Sequence, residues 1–243
     1  MADPKPYVAR LIRSLLPVPA TQPGVCEICH SSTDSRSRCA QCAQAMRDFG
    51  KLPDVLPIAL MTSESPLYEA LRVYKGRADE SIRRRHRLTA AALLATFIRS
   101  HESCIGDFDS VTAIPSQTRV AVHELIQLIS GLRERYADTL APAGPWAPRE
   151  LRADRYRVTR DVTDERILVI DDTFTSGSTM FSAYEALRQA GAMVVGPIVI
   201  GRFLRLGWEP SDRLHQHLLR TRWEDSACLR CSGGVRFGDS ALF

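Results

Sequence analysis

Apolar residues recur along the middle of the chain in two patterns that alternate. Near-continuous apolar runs predict strands at 110–116 (SVTAIPS), 166–170 (RILVI) and 193–203 (MVVGPIVIGRF). Apolar residues at helical spacing predict helices at 88–101, 120–132 and 179–192. Strands that are apolar along their whole length are typical of parallel sheets covered on both faces. The alternation therefore predicts an α/β fold, with a parallel sheet flanked by helices and joined by right-handed crossovers.

The pattern is less regular on either side of this region. Residues 1–25 predict a short helix and a proline-containing linker, and LPDVLPIALM (52–61) predicts an extended segment broken by two prolines. PLYEALRVYKG (66–76) suits a helix that ends at its glycine. Residues 133–163 are polar and contain three prolines, so we expect a long, mobile loop of the kind that often carries function.

Composition limits the class of protein. The chain has 243 residues, 44% of them hydrophobic, which is enough for one large domain or a domain plus a small module. Its formal net charge of +4 is compatible with anionic ligands but too weak to indicate a nucleic-acid binder by itself. It has no run of 18 apolar residues and no secretory apolar region, so we expect no membrane span and a cytoplasmic location.

Four cysteines near the start form two CxxC pairs, CEIC and CAQC, separated by nine polar, turn-forming residues. Two such pairs offer four thiolates to one tetrahedral Zn²⁺, and metal would organise a segment that has no core of its own. Because sulfur fills all four positions, we expect a structural zinc site rather than a catalytic one. The alternative is a set of reduced surface cysteines. The predicted ligands are Cys26, Cys29, Cys39 and Cys42.

The remaining three cysteines are harder to interpret. CLRC at 228–231 supplies only two ligands, and His215 and His217 shortly before it would point apart on a helix. A second zinc site, a redox pair and tail cysteines without a function all stay open, and the last is favoured. Cys104 is expected to be a core or near-core thiol.

The stretch ILVIDDTFTSGSTM (167–180) combines an apolar strand, two carboxylates and a loop of hydroxyls that opens a helix. Ligands bind at the carboxyl ends of strands in parallel sheets, where Asp171 and Asp172 are expected to lie. A helix N-terminus with free N–H groups attracts a phosphate, and Gly177 allows close backbone approach. Carboxylates repel that phosphate, so they suit neighbouring ribose hydroxyls or Mg²⁺.

One loop therefore fits a ribose 5-phosphate, with the diol on the carboxylates and the phosphate at the helix start. The stretch lacks the lysine of a P-loop and the glycine triplet of a dinucleotide-binding turn. The alternative interpretation is an ordinary strand–turn–helix with exposed acids.

ILVIDDTFTSGST resembles the phosphoribosyl pyrophosphate (PRPP) motif of the type I phosphoribosyltransferases. The double CxxC module, followed by PLYEALRVYKG and then the transferase region, resembles the ComF family of competence-protein-F-like phosphoribosyltransferases, over residues 24–205. The resemblance implies a type I phosphoribosyltransferase-like sheet with a small N-terminal zinc module of four cysteines. It also implies Mg²⁺ bound with PRPP, and Asp171 and Asp172 holding the ribose diol directly or through that ion.

The resemblance further assigns the 5-phosphate to residues 173–179 and the pyrophosphate to Ser116–Arg119. Arg119 is the expected catalytic cation beside the two acids, with Lys75 and Arg77 as second candidates. Three arginines of segment 133–163 are further candidates for this cation: Arg152, Arg155 and Arg157. The favoured interpretation is that they are solvated surface arginines. The residues assigned to PRPP are Ser116, Gln117, Thr118, Lys75, Asp171, Asp172, Thr173, Phe174, Thr175, Ser176, Gly177, Ser178 and Thr179.

This organisation divides the chain into three regions. Residues 1–50 hold the helix and zinc module, residues 51–205 the α/β domain, and residues 206–243 a tail with the last CxxC. Within the α/β domain, segment 133–163 corresponds to the flexible hood that closes over the reaction in such enzymes.

Two functions are consistent with these features. The first is a Mg²⁺-dependent phosphoribosyltransferase that moves the phosphoribosyl group from PRPP to an unidentified nitrogenous acceptor. Thr175 stands where purine-salvage relatives have an acid, which disfavours a purine acceptor. The second is a non-catalytic PRPP or nucleotide sensor whose zinc module and basic run RRRHR (83–87) contact nucleic acid or a partner. A solvated or phosphate-facing helix is preferred for that run, so nucleic acid is not favoured as a partner.

Overall fold

The computed structural model describes residues 5–34, 36–115, 122–147 and 149–236. Four parallel strands form one sheet in the spatial order β1–β6–β5–β2. A separate antiparallel pair, β3 and β4, lies in the segment before β5. The strands are β1 Leu56–Met61, β2 Ser110–Ala113, β3 Leu140–Pro142, β4 Tyr156–Val158, β5 Arg166–Phe174 and β6 Met193–Phe203. The parallel sheet confirms the predicted α/β class.

Alternate residues of β5 enter two different hydrophobic clusters, which places helical layers on both faces of the sheet. Leu168 and Ile170 pack with residues of the third and fourth helices on one face. Ile167 and Val169 pack with residues of the eighth helix on the other. Successive side chains of a strand point to opposite faces, so a strand covered on both sides has to be apolar throughout.

Helices connect the strands and cover the sheet. They are α1 Lys5–Arg13, α2 Ala40–Phe49, α3 Pro66–Val73, α4 Glu80–Ser100, α5 Glu102–Ile105, α6 His123–Ile126, α7 Ser130–Arg133, α8 Ser178–Gln189, α9 Glu209–Leu219 and α10 Leu229–Ser232. Helix α4 begins eight residues before its predicted start, so the basic run lies on its first turns. Within the described residues, no helix combines the length and apolarity needed to cross a bilayer.

The prediction of one continuous helix at 120–132 was wrong. The structure has two single turns there, α6 and α7, and residues 116–121 lie outside the described part of the chain. Ile129 interrupts the helix with an extended backbone, φ −113° and ψ 107°, and Ser130 and Gly131 follow it. A β-branched residue followed by serine and glycine has a weak helix propensity, which favours an interruption at this point.

The expectation of a loop without regular structure at 133–163 was wrong for two short stretches. Strands β3 and β4 pair in antiparallel register, with Leu140 opposite Val158. The Trp146 indole N–H donates to the carbonyl of Arg155 at 3.1 Å and closes the hairpin loop. The backbone N–H of Arg152 donates to Ser182 Oγ of α8 at 3.1 Å, so this hairpin is attached to the helix that follows the acidic strand.

The C-terminal region packs on the α/β domain. Trp223 is buried and its indole N–H donates to the carbonyl of Ile58 in β1 at 2.8 Å. Val235 pairs by its backbone with Val18 and Ala20 of the N-terminal segment. The segment that follows α1 and the C-terminal region therefore meet beside β1.

Candidate functional site

Strand β5 continues through both acids and ends at Phe174. Asp171 is in register with Val199 of β6, and the end of β2 lies opposite Ile170. The N–H of Ile114 donates to the carbonyl of Ile170 at 3.2 Å, so the chain after β2 leaves the sheet beside the two carboxylates. The predicted pyrophosphate residues Ser116, Gln117, Thr118 and Arg119 follow this point and lie outside the described residues.

Asp172 is buried and has two side-chain partners. Only 1% of its surface is exposed, its Oδ2 accepts a hydrogen bond from the Tyr74 hydroxyl, and the same oxygen forms an ion pair with Lys75 Nζ. Tyr74 and Lys75 lie at the end of α3, which brings them to the carboxyl edge of the sheet. A buried carboxylate needs such partners, because an unpaired buried charge is strongly unfavourable. Of the two secondary cations predicted, Lys75 is at the site and Arg77 is exposed.

Tyr74 was missed from the sequence. It belongs to the helix predicted at 66–76, and its side chain is completely buried. Burial raises the pKa of its hydroxyl above the ordinary value, and the negative charge of Asp172 acts in the same direction. The hydroxyl therefore stays protonated and serves as a donor that fixes the carboxylate.

Asp171 has a different environment from its neighbour. It is half-buried, and its Oδ1 accepts a hydrogen bond from the Asp172 N–H at 2.8 Å. Burial, together with the adjacent charge of Asp172, raises the pKa of Asp171 to about 7. A carboxyl group of this kind gains from a positive ligand, because a nearby positive charge favours its ionised form.

The connection from β5 to α8 is only three residues long, Thr175–Gly177. Gly177 has φ +82° and precedes the helix without any side-chain cap. A Cβ at this position would lie 2.5 Å from Phe174 Cζ and 2.6 Å from Phe181 Cε2, so both backbone conformation and space require glycine. The first N–H groups of α8 have no intrahelical partner and point out of the helix start.

The residues predicted to hold the 5-phosphate divide by position. Thr173 and Phe174 belong to β5, and the Phe174 ring packs edge-on against Phe181 at 5.5 Å between centroids. Thr175 is exposed, and Ser176 Oγ lies 3.2 Å from Ser178 Oγ. Ser176, Ser178 and the partly exposed Thr179 therefore surround the start of α8.

Arg202 connects this loop to the cysteine module and was also missed from the sequence. It lies in β6 and is 5% exposed. Its Nη1 donates to the carbonyls of Phe174 at 3.2 Å and Thr175 at 2.9 Å. On the other side, its Nε donates to the Cys29 carbonyl at 3.0 Å and its Nη2 to the Cys29 sulfur at 3.2 Å. The buried guanidinium of Arg202 therefore contacts both the loop after β5 and the cysteine module.

The four N-terminal cysteines lie together, with all four sulfurs within 4.8 Å of one another and no disulfide. Cys29 Sγ and Cys39 Sγ are 3.7 Å apart. Tetrahedral coordination at the usual Zn–S length places sulfurs about 3.8 Å apart, so the spacing suits zinc. Hydrogen bonds from the other three thiols hold the pKa of Cys29 well below its usual range, and Arg202 acts in the same direction. The donor set therefore fits a structural zinc ion.

The hood arginines have partners within their own segment. Arg152 forms ion pairs with Asp154 at 2.8 Å and Glu150 at 3.3 Å and lies over the Trp146 ring. Arg155 Nη1 donates to the carbonyl of Glu150 at 2.7 Å, and Arg157 is exposed.

A cavity of about 260 Å³ adjoins the start of α8. Ser176 and Ser178 form one side, α2 of the cysteine module contributes Gln41, and the hood contributes Arg149 and Leu151. The loop between β5 and α8, the cysteine module and segment 133–163 therefore share one concave surface.

Two arginines of the basic run at the start of α4 form ion pairs with acids. Arg83 and Arg87 both pair with Glu80, and Arg87 Nε also lies 2.9 Å from Glu124. Arg84 is exposed and also has an interaction. The positive charge of Arg83 and Arg87 is therefore partly offset by neighbouring acids.

Neither a protein-family model nor a curated protein matches the sequence. Several solved structures match it in part, including the following two. A phosphoribosyltransferase from Corynebacterium diphtheriae is 18% identical with a TM-score of 0.33, over 69% of this chain and 96% of that one. The UMP synthase of Leishmania donovani is 20% identical with a TM-score of 0.31, over 57% of this chain and 28% of that one. This chain therefore spans less than a third of the Leishmania protein.

Proposed function

We propose that the protein is a type I phosphoribosyltransferase of the ComF-like kind, which binds PRPP with Mg²⁺ and transfers its phosphoribosyl group to a nitrogenous acceptor with release of pyrophosphate. One observation carries the proposal. The paired acids Asp171 and Asp172 lie at the carboxyl edge of a parallel sheet, with five residues between Asp172 and the uncapped start of α8 at Ser178. Carboxylates that suit a diol and free N–H groups that suit a phosphate therefore lie on one short strand–loop–helix unit, as binding of one ribose 5-phosphate requires.

In this arrangement the 5-phosphate lies at the helix start, against the N–H groups and hydroxyls of Ser176, Ser178 and Thr179. The ribose hydroxyls face Asp171, whose carboxylate is partly accessible. Asp172 is held by Tyr74 and Lys75 and fixes the position of this edge. The reaction breaks the bond between the anomeric carbon and pyrophosphate and forms one to nitrogen.

Positive charge develops on the ribose ring while negative charge develops on the leaving group, so the chain has to stabilise both. Asp171 faces the ring, and Arg119 is the proposed cation for pyrophosphate. Bound Mg²⁺ supplies positive charge to the phosphate oxygens. The segment 133–163 is proposed to exclude water, and its attachment to Ser182 of α8 supports a position beside the loop.

A PRPP sensor without transferase activity is the second candidate, because of Arg202. This residue bonds both the loop carbonyls and Cys29, so a ligand that orders the loop acts directly on a residue of the cysteine module. The module is then the part of the protein that contacts a partner.

Calorimetric titration of PRPP with Mg²⁺ tests the shared part of both proposals. We expect the wild type to bind and the Asp171→Asn/Asp172→Asn variant to bind at least about a hundredfold more weakly, since each lost charge-assisted contact contributes about 1.5–3 kcal/mol. The control is Asp107→Asn, which removes an exposed carboxylate before β2, at the opposite edge of the sheet. Absence of binding by the wild type overturns the proposed function.

Acceptor dependence separates the two candidates. Pyrophosphate release that requires an added nitrogenous acceptor, and that the double variant lacks, supports the transferase. Binding of PRPP without release, together with salt-dependent nucleic-acid binding that PRPP alters, supports the sensor.

A further inference from the structure

A second group of metal-ligating side chains lies where the C-terminal region meets the end of α4. It consists of His101, Cys104, Cys228 and Cys231, whose candidate ligand atoms all lie within 4.8 Å of one another. His101 is 1% exposed and Cys228 6%, whereas Cys231 is exposed. The four N-terminal cysteines form the first group, so every one of the seven cysteines of the chain belongs to one group or the other.

The distances in this group are those of a tetrahedral centre. Cys231 Sγ lies 3.5 Å from Cys228 Sγ and 3.7 Å from His101 Nδ1. Zinc bound at its usual distances to sulfur and imidazole nitrogen separates two sulfurs by about 3.8 Å and a sulfur from a nitrogen by about 3.6 Å. The first group, by comparison, has a sulfur–sulfur distance of 3.7 Å.

Local structure brings each pair of ligands to one point. His101 lies at the junction of α4 and α5, and Cys104 follows it by three residues within the turn of α5. Cys228 precedes α10 and Cys231 is its third residue, and each donates its backbone N–H to the other's sulfur. Hydrogen bonds of this kind stabilise sulfur in its charged form, which is the form that binds metal.

Arg230, which lies between Cys228 and Cys231 in the sequence, links this pair to the pair of His101 and Cys104. Arg230 Nη1 donates to the Cys104 carbonyl at 3.0 Å, and its Nε lies 3.2 Å from an oxygen of Asp54. The guanidinium therefore lies beside the group, where it offsets part of the negative charge of three thiolates. His215 and His217, the histidines nearest to CLRC in the sequence, are not part of the group.

We propose that His101, Cys104, Cys228 and Cys231 bind a second zinc ion, which joins the C-terminal region to the end of α4. With four protein ligands the site has no open position, so its role is structural. Exposure of Cys231 makes this the more accessible of the two sites to chelators and oxidants. A CxxC redox pair is the competing interpretation, and it requires neither His101 nor Cys104.

Metal content of the full-length protein tests the proposal. We expect two zinc ions per chain in the wild type purified under reducing conditions, about one in Cys231→Ser and about one in Cys39→Ser. The control is His215→Gln, which alters a histidine near CLRC in sequence and is expected to retain two. One zinc ion in the wild type, or two in Cys231→Ser, overturns the proposal.

A spectroscopic measurement distinguishes loss of a metal ligand from loss of metal through unfolding of the variant. In the Co²⁺-loaded protein, His101→Cys retains the metal and replaces one nitrogen with sulfur, so its ligand-field bands move to longer wavelength. A structural role for His101 without ligation leaves those bands unchanged, and this outcome also overturns the proposal. A disulfide between Cys228 and Cys231 in the wild type under the same reducing conditions would likewise overturn the proposal.

Discussion

The two adjacent carboxyl groups at the end of β5 are chemically unlike. Asp172 has a hydroxyl and an ammonium group as partners, whereas Asp171 is half-buried beside its neighbour's charge. The negative charge of Asp172 is therefore offset by Lys75, whereas the negative charge of Asp171 is unfavourable without a positive partner. Binding sites often contain groups of this kind, which lower the folding stability of the ligand-free protein.

The ligand-free protein should gain stability from Asp171→Asn above neutral pH. The pKa of Asp171 is about 7 in the folded protein, above its value of about 3.9 in an unfolded chain. Its contribution to stability is thus fully present below pH 4 and is lost as the pH rises through 7. Asparagine does not ionise, so we expect the free energy of unfolding to exceed that of the wild type by on the order of 4 kcal/mol at pH 8, since a pKa difference of about three units corresponds to about 1.4 kcal/mol per unit.

Urea unfolding between pH 4 and pH 8, without Mg²⁺ or PRPP, measures this difference. Asp107→Asn serves as the exposed control and should show no such gain. A gain for Asp171→Asn that is equally large at pH 4 contradicts the explanation, since it would not arise from ionisation.

At the scale of elements, the strand–loop–helix unit of β5 and α8 was predictable because its signals are local. The apolar run, the two acids and Gly177 lie within one short stretch, and α8 begins at Ser178, one residue before the predicted helix at 179–192. The partners of this unit were not predictable in the same way. Tyr74 reaches Asp172 across 98 residues and Arg202 reaches Cys29 across 173, and neither side chain has a local pattern that shows its partner.

Distance along the chain also explains the elements that were missed. His101 and Cys231 are 130 residues apart, so no spacing rule joins them. The hairpin of β3 and β4 has three residues per strand, too few for alternation to be visible.

Arg202→Met should weaken both elements that this side chain connects. The substitution retains bulk but removes donors from the carbonyls of Phe174 and Thr175 and a positive charge from Cys29. Breaking a buried charged network by removing one partner costs about 3 kcal/mol or more. We therefore expect a lower free energy of unfolding and weaker PRPP binding together.

Denaturation and PRPP titration of the same samples provide the measurement. Arg205→Met alters an exposed arginine nearby in sequence and should stay within about 0.5 kcal/mol of the wild type. Unchanged PRPP binding in Arg202→Met would show that the loop keeps its shape without the guanidinium.

At the scale of the whole molecule, the C-terminal region is part of the folded body. Trp223 is buried against β1 and donates to the Ile58 carbonyl. Trp223→Ala should therefore destabilise the protein by about 3–5 kcal/mol, through lost packing and an unpaired carbonyl. Thermal unfolding of this variant beside Trp208→Ala, whose side chain is 46% exposed, makes the comparison. Equal effects of the two substitutions would contradict the assigned position of Trp223.

The pairing of β1 has a consequence for how the protein is made. Pro57 of β1 lies in register with Val199 of β6, about 140 residues later in the chain. At ordinary rates of synthesis, a ribosome needs roughly ten to thirty seconds to add that length. During this interval six residues that are all buried in the native protein have no partner strand. The nascent chain therefore presents an apolar strand to its surroundings, and chaperones that hold extended apolar segments have time to act on it.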